Sequence, residues 1–177
     1  TSLSKILFLT LDFVGRYGIP IKMSIKMPYR PTKSRVRKSI FDKLVPFHYS
    51  SVLDLFSGSG IMGLEASSRG ASSVTFVEKH GKSLALMKEN SLKFHGVDYS
   101  FIKMDVFSFL KEGRSFDLIF ADPPYGRFDL KALVEVIYER LNKNGKLILE
   151  CGKSQAPFLN ADVTDYGITR ILTWTNL

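Results

Sequence analysis

The chain is 177 residues long, 45% hydrophobic and 24% charged, with one cysteine and a formal net charge of +8. This is an ordinary globular composition for a single compact domain that buries roughly 70% of its unfolded surface. One cysteine excludes an intrachain disulfide, and there are no repeats or low-complexity linkers. Ten of the 25 Lys and Arg but two of the 17 Asp and Glu fall in the first 50 residues. The positive excess is therefore N-terminal, and it suits a polyanionic partner.

In chain order, the first apolar run, residues 6–11, is far too short for a membrane span. Followed by Asp12 and lacking a small-residue cleavage site, it does not read as a signal core either. It is expected to form a strand that turns at residues 15–18 and returns over 19–25, a small platform ahead of the main fold. A helix follows with Val36, Ile40, Phe41 and Leu44 inward. Val52 and Leu53 open a strand, Ser73 to Glu78 form the next, and residues 82–94 read as a helix with Leu84, Leu86, Met87 and Leu92 available for burial. Phe101 to Met104, a short helix from Val106, the strand Phe116 to Ala121 and a helix over 130–141 follow. Asn142-Lys143-Asn144-Gly145 should end that helix before the strand at Leu147. Residues 163–168 and 171–175 suit a closing hairpin. Such alternation implies a mostly parallel sheet covered by helices on both faces, with an antiparallel addition at the end.

Two motifs carry chemistry. Asp54-Leu55-Phe56-Ser57-Gly58-Ser59-Gly60 reads strand, glycine turn, helix, and Gly58, Gly60 and Gly63 match the G-x-G-x-x-G spacing of a dinucleotide site. Asp54 would repel a pyrophosphate but attract a cationic amino-acid group. Asp122-Pro123-Pro124-Tyr125 stands at the end of an apolar strand that the prolines must stop. A carboxylate, the Pro123 carbonyl and an aromatic ring could hold and stack an exocyclic base amine. They could equally be a turn with Asp122 as a cap.

Glu78, about twenty residues past the glycine loop, could accept ribose hydroxyls or be a solvent-facing strand end. Asp105 could meet an adenine edge or cap the helix that follows it. Arg30, Lys33, Arg35 and Arg37 suggest RNA contacts, whereas Lys38 and Lys43 suit a solvated helix face. Cys151 is expected to be a buried strand residue. His48, His80 and His95 lack ligand spacing, so no metal is expected.

On Arg30 to Arg37, Asp54 to Gly60, Gly63 to Ala71, Val77-Glu78 and Asp122 to Tyr125, the chain resembles the RsmD family within the Rossmann-like S-adenosylmethionine-dependent methyltransferases. The resemblance implies an α/β fold, a mostly parallel seven-stranded sheet with helices on both faces and an antiparallel C-terminal strand, to which the residues add the small N-terminal β-hairpin read above. The hairpin would be residues 1–31 and the catalytic fold 32–177. It further implies methylation of the N2 amine of a guanine in 16S ribosomal RNA, within a small-subunit particle, by a cytoplasmic monomer. Asp122, Pro123, Pro124 and Tyr125 would be catalytic. Asp54, Phe56, Gly58, Gly60, Glu78 and Asp105 would bind S-adenosylmethionine. Rival readings are an adenine-N6 amino-methyltransferase on DNA or RNA, a non-catalytic RNA-binding module on the cofactor fold, and a nicotinamide oxidoreductase.

Overall fold

A computed structural model describes residues 7–15, 20–27 and 34–177. β1 (Leu7–Val14) and β2 (Pro20–Met27) form an antiparallel hairpin. The main sheet then alternates with helices: α1 (Ser34–Asp42), β3 (Ser51–Leu55), α2 (Ile61–Arg69), β4 (Ser73–Glu78), α3 (Gly81–Ser91), β5 (Asp98–Lys103), α4 (Val106–Leu110), β6 (Phe116–Ala121) and α5 (Leu130–Tyr138). β7 (Leu141–Gly152), β8 (Asp162–Tyr166) and β9 (Thr169–Thr175) complete it.

The seven strands lie in the order β5-β4-β3-β6-β7-β9-β8, parallel from β5 to β7, with β9 and β8 antiparallel. Successive crossovers run outward from β3 to one edge and then from β6 toward the other, so the strand order reverses between β3 and β6. In open α/β sheets ligands bind outside the carboxyl ends of strands at such a point.

Strand periodicity assigns side chains to two cores. Val52, Val74, Phe76, Leu118, Phe120 and Ile148 face α1, α2 and α3, packing with Val36, Ile40, Phe41, Leu64 and Met87. Leu53, Leu55, Val77, Ile119, Leu147 and Leu149 face the other way, onto Val106, Phe109, Leu133 and Ile137 of α4 and α5. The hairpin joins the first core through Leu11 and Phe13, whose ring meets Phe94 edge-on at 5.4 Å.

Several boundaries differ from the sequence reading, three of them most clearly. α3 stops at Ser91, and Leu92 turns outward, 73% exposed. α5 stops at Tyr138, three residues early. Asn142 to Gly145 lie inside β7 as a bulge, because Phe116 pairs with Leu141 and Leu118 with Lys146. Asn144 is left-handed there, and a Cβ on Gly145 would stand 2.8 Å from the Asn142 carbonyl oxygen. The turn residues were legible, but the same residues also permit a bulge without ending the strand. The turn expected at 15–18 falls mostly outside the described residues.

Candidate active site

Asp54, Asp122 and Glu150 stand at the carboxyl ends of the adjacent strands β3, β6 and β7. All three take the parity of Val52, Phe120 and Ile148, so the pleat aims them at the α1–α2 side of the sheet. They line one cavity of about 310 Å³ together with Val36 and Ile40 of α1, Gly58 and Thr169. A second cavity of about 450 Å³ is lined by Glu78, Met104, Asp105, Phe128, Pro123, Pro124 and Tyr125. Phe56, Asp122 and Glu150 belong to both walls.

The loop between β3 and α2 is built by the sequence in an unusual way. Phe56, Gly58 and Gly60 all have positive φ, at 54°, 54° and 73°. For Phe56 this is a strained conformation that ordinary side chains avoid. Its ring is held 5.3 Å from that of Phe128, over the second cavity. Gly60 caps α2 with no side-chain bond, and Asp54 supplies one from the strand instead, its Oδ2 accepting the Gly63 N–H at 2.9 Å. Glu78 accepts the Gly58 N–H at 2.9 Å through Oε2 and the His80 N–H at 3.0 Å through Oε1. Each carboxylate oxygen has a second lone pair, so these bonds fix Asp54 and Glu78 while leaving acceptors for a ligand.

The electrostatics are costly for a site without a bound cation. Burial raises the Asp54 carboxyl to about 8; the Gly63 bond opposes this, and the charges of Asp122 and Glu78 add to it. Burial raises Asp122 to about 6. Burial and then the Asp122 charge raise Glu150 to about 7. Asp122 has an exposed surface because both cavities open onto it, yet protein encloses most directions around it. Water reaching it through the cavities tempers that shift.

Of the expected cofactor residues, Asp54, Phe56, Gly58, Glu78 and Asp105 line the two cavities, but Gly60 lines neither. A Cβ on Gly60 would meet Met87 Cγ at 2.5 Å, so its missing side chain serves helix packing. Asp105 does cap α4, accepting the Ser108 N–H at 3.1 Å, and also reaches the second cavity. Asp122, Pro123, Pro124 and Tyr125 are together, with Tyr125 63% exposed.

The basic segment divides. Arg35 is exposed, whereas Arg30 and Lys33 lie outside the described residues. Arg37 is buried in the protein instead of facing RNA: it is 2% exposed, with Nε 3.3 Å from Glu65 Oε2, Nη2 donating to the Asp12 carbonyl at 2.9 Å, and its guanidinium over the Phe13 ring. Burial lowers its pKa, and Glu65 pulls it back up. Arg37 ties the hairpin to α1 and α2; a phosphate cannot reach it. Lys38 pairs with Asp42 at the helix surface as a solvated residue does.

Glu150 and Phe128 were not picked out from the sequence. Glu150 reads only as the polar end of an apolar strand, the same signal that flagged Asp122 once prolines followed it. Phe128 sits in a loop, where spacing carries no information about its neighbours.

Residues 16–167 match the family described as Conserved hypothetical protein 95. The Ribosomal RNA small subunit methyltransferase D of Buchnera aphidicola is 31% identical over 170 residues, covering 92% of this chain and 86% of that one. The chain belongs to this RsmD family of methyltransferases. A Thermus thermophilus protein, 31% identical, superposes with a TM-score of 0.75 over 85% of this chain and 92% of its own. The methyltransferase-fold protein SMU.776, solved with SAH, shares the fold at a TM-score of 0.64 and 18% identity, over 86% of this chain and 53% of its own.

S-adenosylmethionine is the cofactor implied by the motifs at Asp54 to Gly60 and Glu78, and the residues present fit it. Carboxylates raised by burial and mutual repulsion are relieved by a ligand carrying an ammonium and a positively charged sulfur. A pyrophosphate would worsen the same repulsion. Among the described residues, no helix is long and apolar enough to cross a membrane.

Proposed function

We propose that this chain methylates the N2 amine of a guanine in small-subunit ribosomal RNA. The observation that carries the reading is the placement of Asp122 in the wall common to both cavities, beside the acid set that suits a cationic donor and beside the open ring of Tyr125. The relatives named as small-subunit ribosomal RNA methyltransferases support the polymer.

Glu78 would take the ribose hydroxyls, Asp105 and Phe128 would border the adenine, and Asp54 would pair with the amino group. When bound, S-adenosylmethionine supplies an electrophilic methyl group on a cationic sulfur. Asp122 and the Pro123 carbonyl hold the two amine hydrogens, which aims the nitrogen lone pair and raises its electron density. Tyr125 stacks on the base. Once the nitrogen carried the methyl group, its surplus proton would leave to Asp122 or to water. A guanine within paired RNA hides this edge, so the target must be unpaired or flipped out.

Transfer of labelled methyl to ribosomal RNA, 30S particles and DNA in parallel, followed by nucleoside analysis, tests the reading. The expected product is N2-methylguanosine from one of the RNA substrates. Label in DNA, or as N6-methyladenosine, contradicts it.

A further inference from the structure

Glu150 follows Leu149, and Asp122 follows Ala121; Ala121 and Leu149 are partners in the β6–β7 ladder. The two carboxylates therefore leave neighbouring strands at the same level and toward the same side, about 4.8 Å apart at the backbone. Both belong to the walls of both cavities, and Glu150 also borders a third, beside Pro123, Tyr125 and Gln155. Among the described residues, no hydrogen bond or ion pair engages the Glu150 side chain. A half-buried carboxylate on a cavity wall and without a protein partner is free to accept a hydrogen bond from a ligand.

The base supplies it. On the Watson–Crick edge of guanine, the N1–H stands immediately beside the N2 amine. If Asp122 and the Pro123 carbonyl are occupied by the amine hydrogens, the acceptor next to Asp122 meets N1. Resting on the guanine reading above, we infer that Glu150 is a specificity-determining residue that accepts the N1–H of the target base. Adenine and 2-aminopurine carry a bare N1 lone pair at this point, which a carboxylate repels. A site with a buried acceptor rejects an analogue lacking the matching donor more strongly than it rejects a change of shape.

The test uses a ribosomal RNA fragment whose methylated position, mapped first with the wild-type enzyme, carries either guanine or 2-aminopurine. The latter keeps the N2 amine and loses the N1–H together with the O6 oxygen. Wild-type enzyme should favour guanine by on the order of a hundredfold in kcat/KM. Glu150→Gln, whose amide can accept or donate, should bring that ratio to within about tenfold, and Glu150→Ala should lose activity on guanine far more than on 2-aminopurine. Calorimetry with S-adenosylmethionine serves as the folding control, with both variants expected to bind the cofactor. A guanine preference unchanged in both variants overturns the role of Glu150. Absence of N2-methylguanosine from the wild-type product overturns the guanine reading beneath it, a separate result.

Discussion

The Asp54 carboxylate accepts the Gly63 N–H at 2.9 Å, joining the end of β3 to the first turn of α2 across the glycine loop. One carboxylate thus completes a helix N-terminus that Gly60 leaves uncapped and still faces the cavity. Local structure and ligand chemistry converge on the same side chain.

That double duty sets a pH dependence. Asp54 at about 8 and Glu150 at about 7 lie above their unfolded values, so between about 4 and 8 the folded protein holds more protons than the unfolded chain. The stability of the cofactor-free protein from these groups is complete at the acid end and is lost as pH rises through 7 and 8. Binding a cation pulls the same groups down. Calorimetry at pH 7 in buffers of different ionisation enthalpy should show proton release on S-adenosylmethionine binding, with affinity rising from pH 6 to 8. Asp54→Asn should remove most of that release. Binding without proton release in the wild type would show that the acids are not coupled to the cofactor.

Gly63 is a packing residue. A Cβ there would stand 2.4 Å from Phe76 Cε1 and 2.9 Å from Val74 Cγ1, and Phe76 is fully buried and stacked on Phe101 at 5.4 Å. Overpacking costs about 1–3 kcal/mol, against a helix-propensity gain of about 1 kcal/mol. Gly63→Ala should lower stability in urea unfolding. A more stable variant would show that α2 can retreat from the sheet.

Arg35 and Arg37 should separate in two measurements. Arg35→Ala should lessen the salt dependence of RNA binding by close to one unit of slope and leave thermal unfolding unchanged. Arg37→Ala should lower the unfolding temperature with no change in salt slope. Glu65, bridging Arg37 and Arg69 at 3.3 and 2.8 Å, anchors the cluster. Glu65→Ala leaves two buried guanidiniums without their shared anion and should cost about 3–5 kcal/mol.

Much of this was readable from residue order. Apolar runs ending in Asp54, Glu78 and Asp122 announced parallel strands with their acids on one rim, and the alternation of period two and period 3.6 gave the layers. Arg37 was misplaced because its charge outweighed its position: it lies four residues before Phe41 and three before Ile40, within the inward stripe of α1. Helical spacing alone would have put it inside. Glu150 could not be singled out, because its importance comes from the lateral register of β6 and β7, a pairing between segments some 28 residues apart that no local pattern encodes. Gly60 and Gly63 matched a ligand-binding fingerprint, yet the close approach they permit is to Met87 and Phe76.

The Asp122 carboxylate is proposed to aim the reacting amine, and single-turnover methyl transfer by Asp122→Asn, compared with its calorimetric affinity for S-adenosylmethionine, decides whether it does. The expected result is a rate lower by about 10²–10³-fold with the cofactor Kd within a few-fold of wild type. Transfer at close to the wild-type rate, or a loss accounted for entirely by weaker cofactor binding, would contradict it.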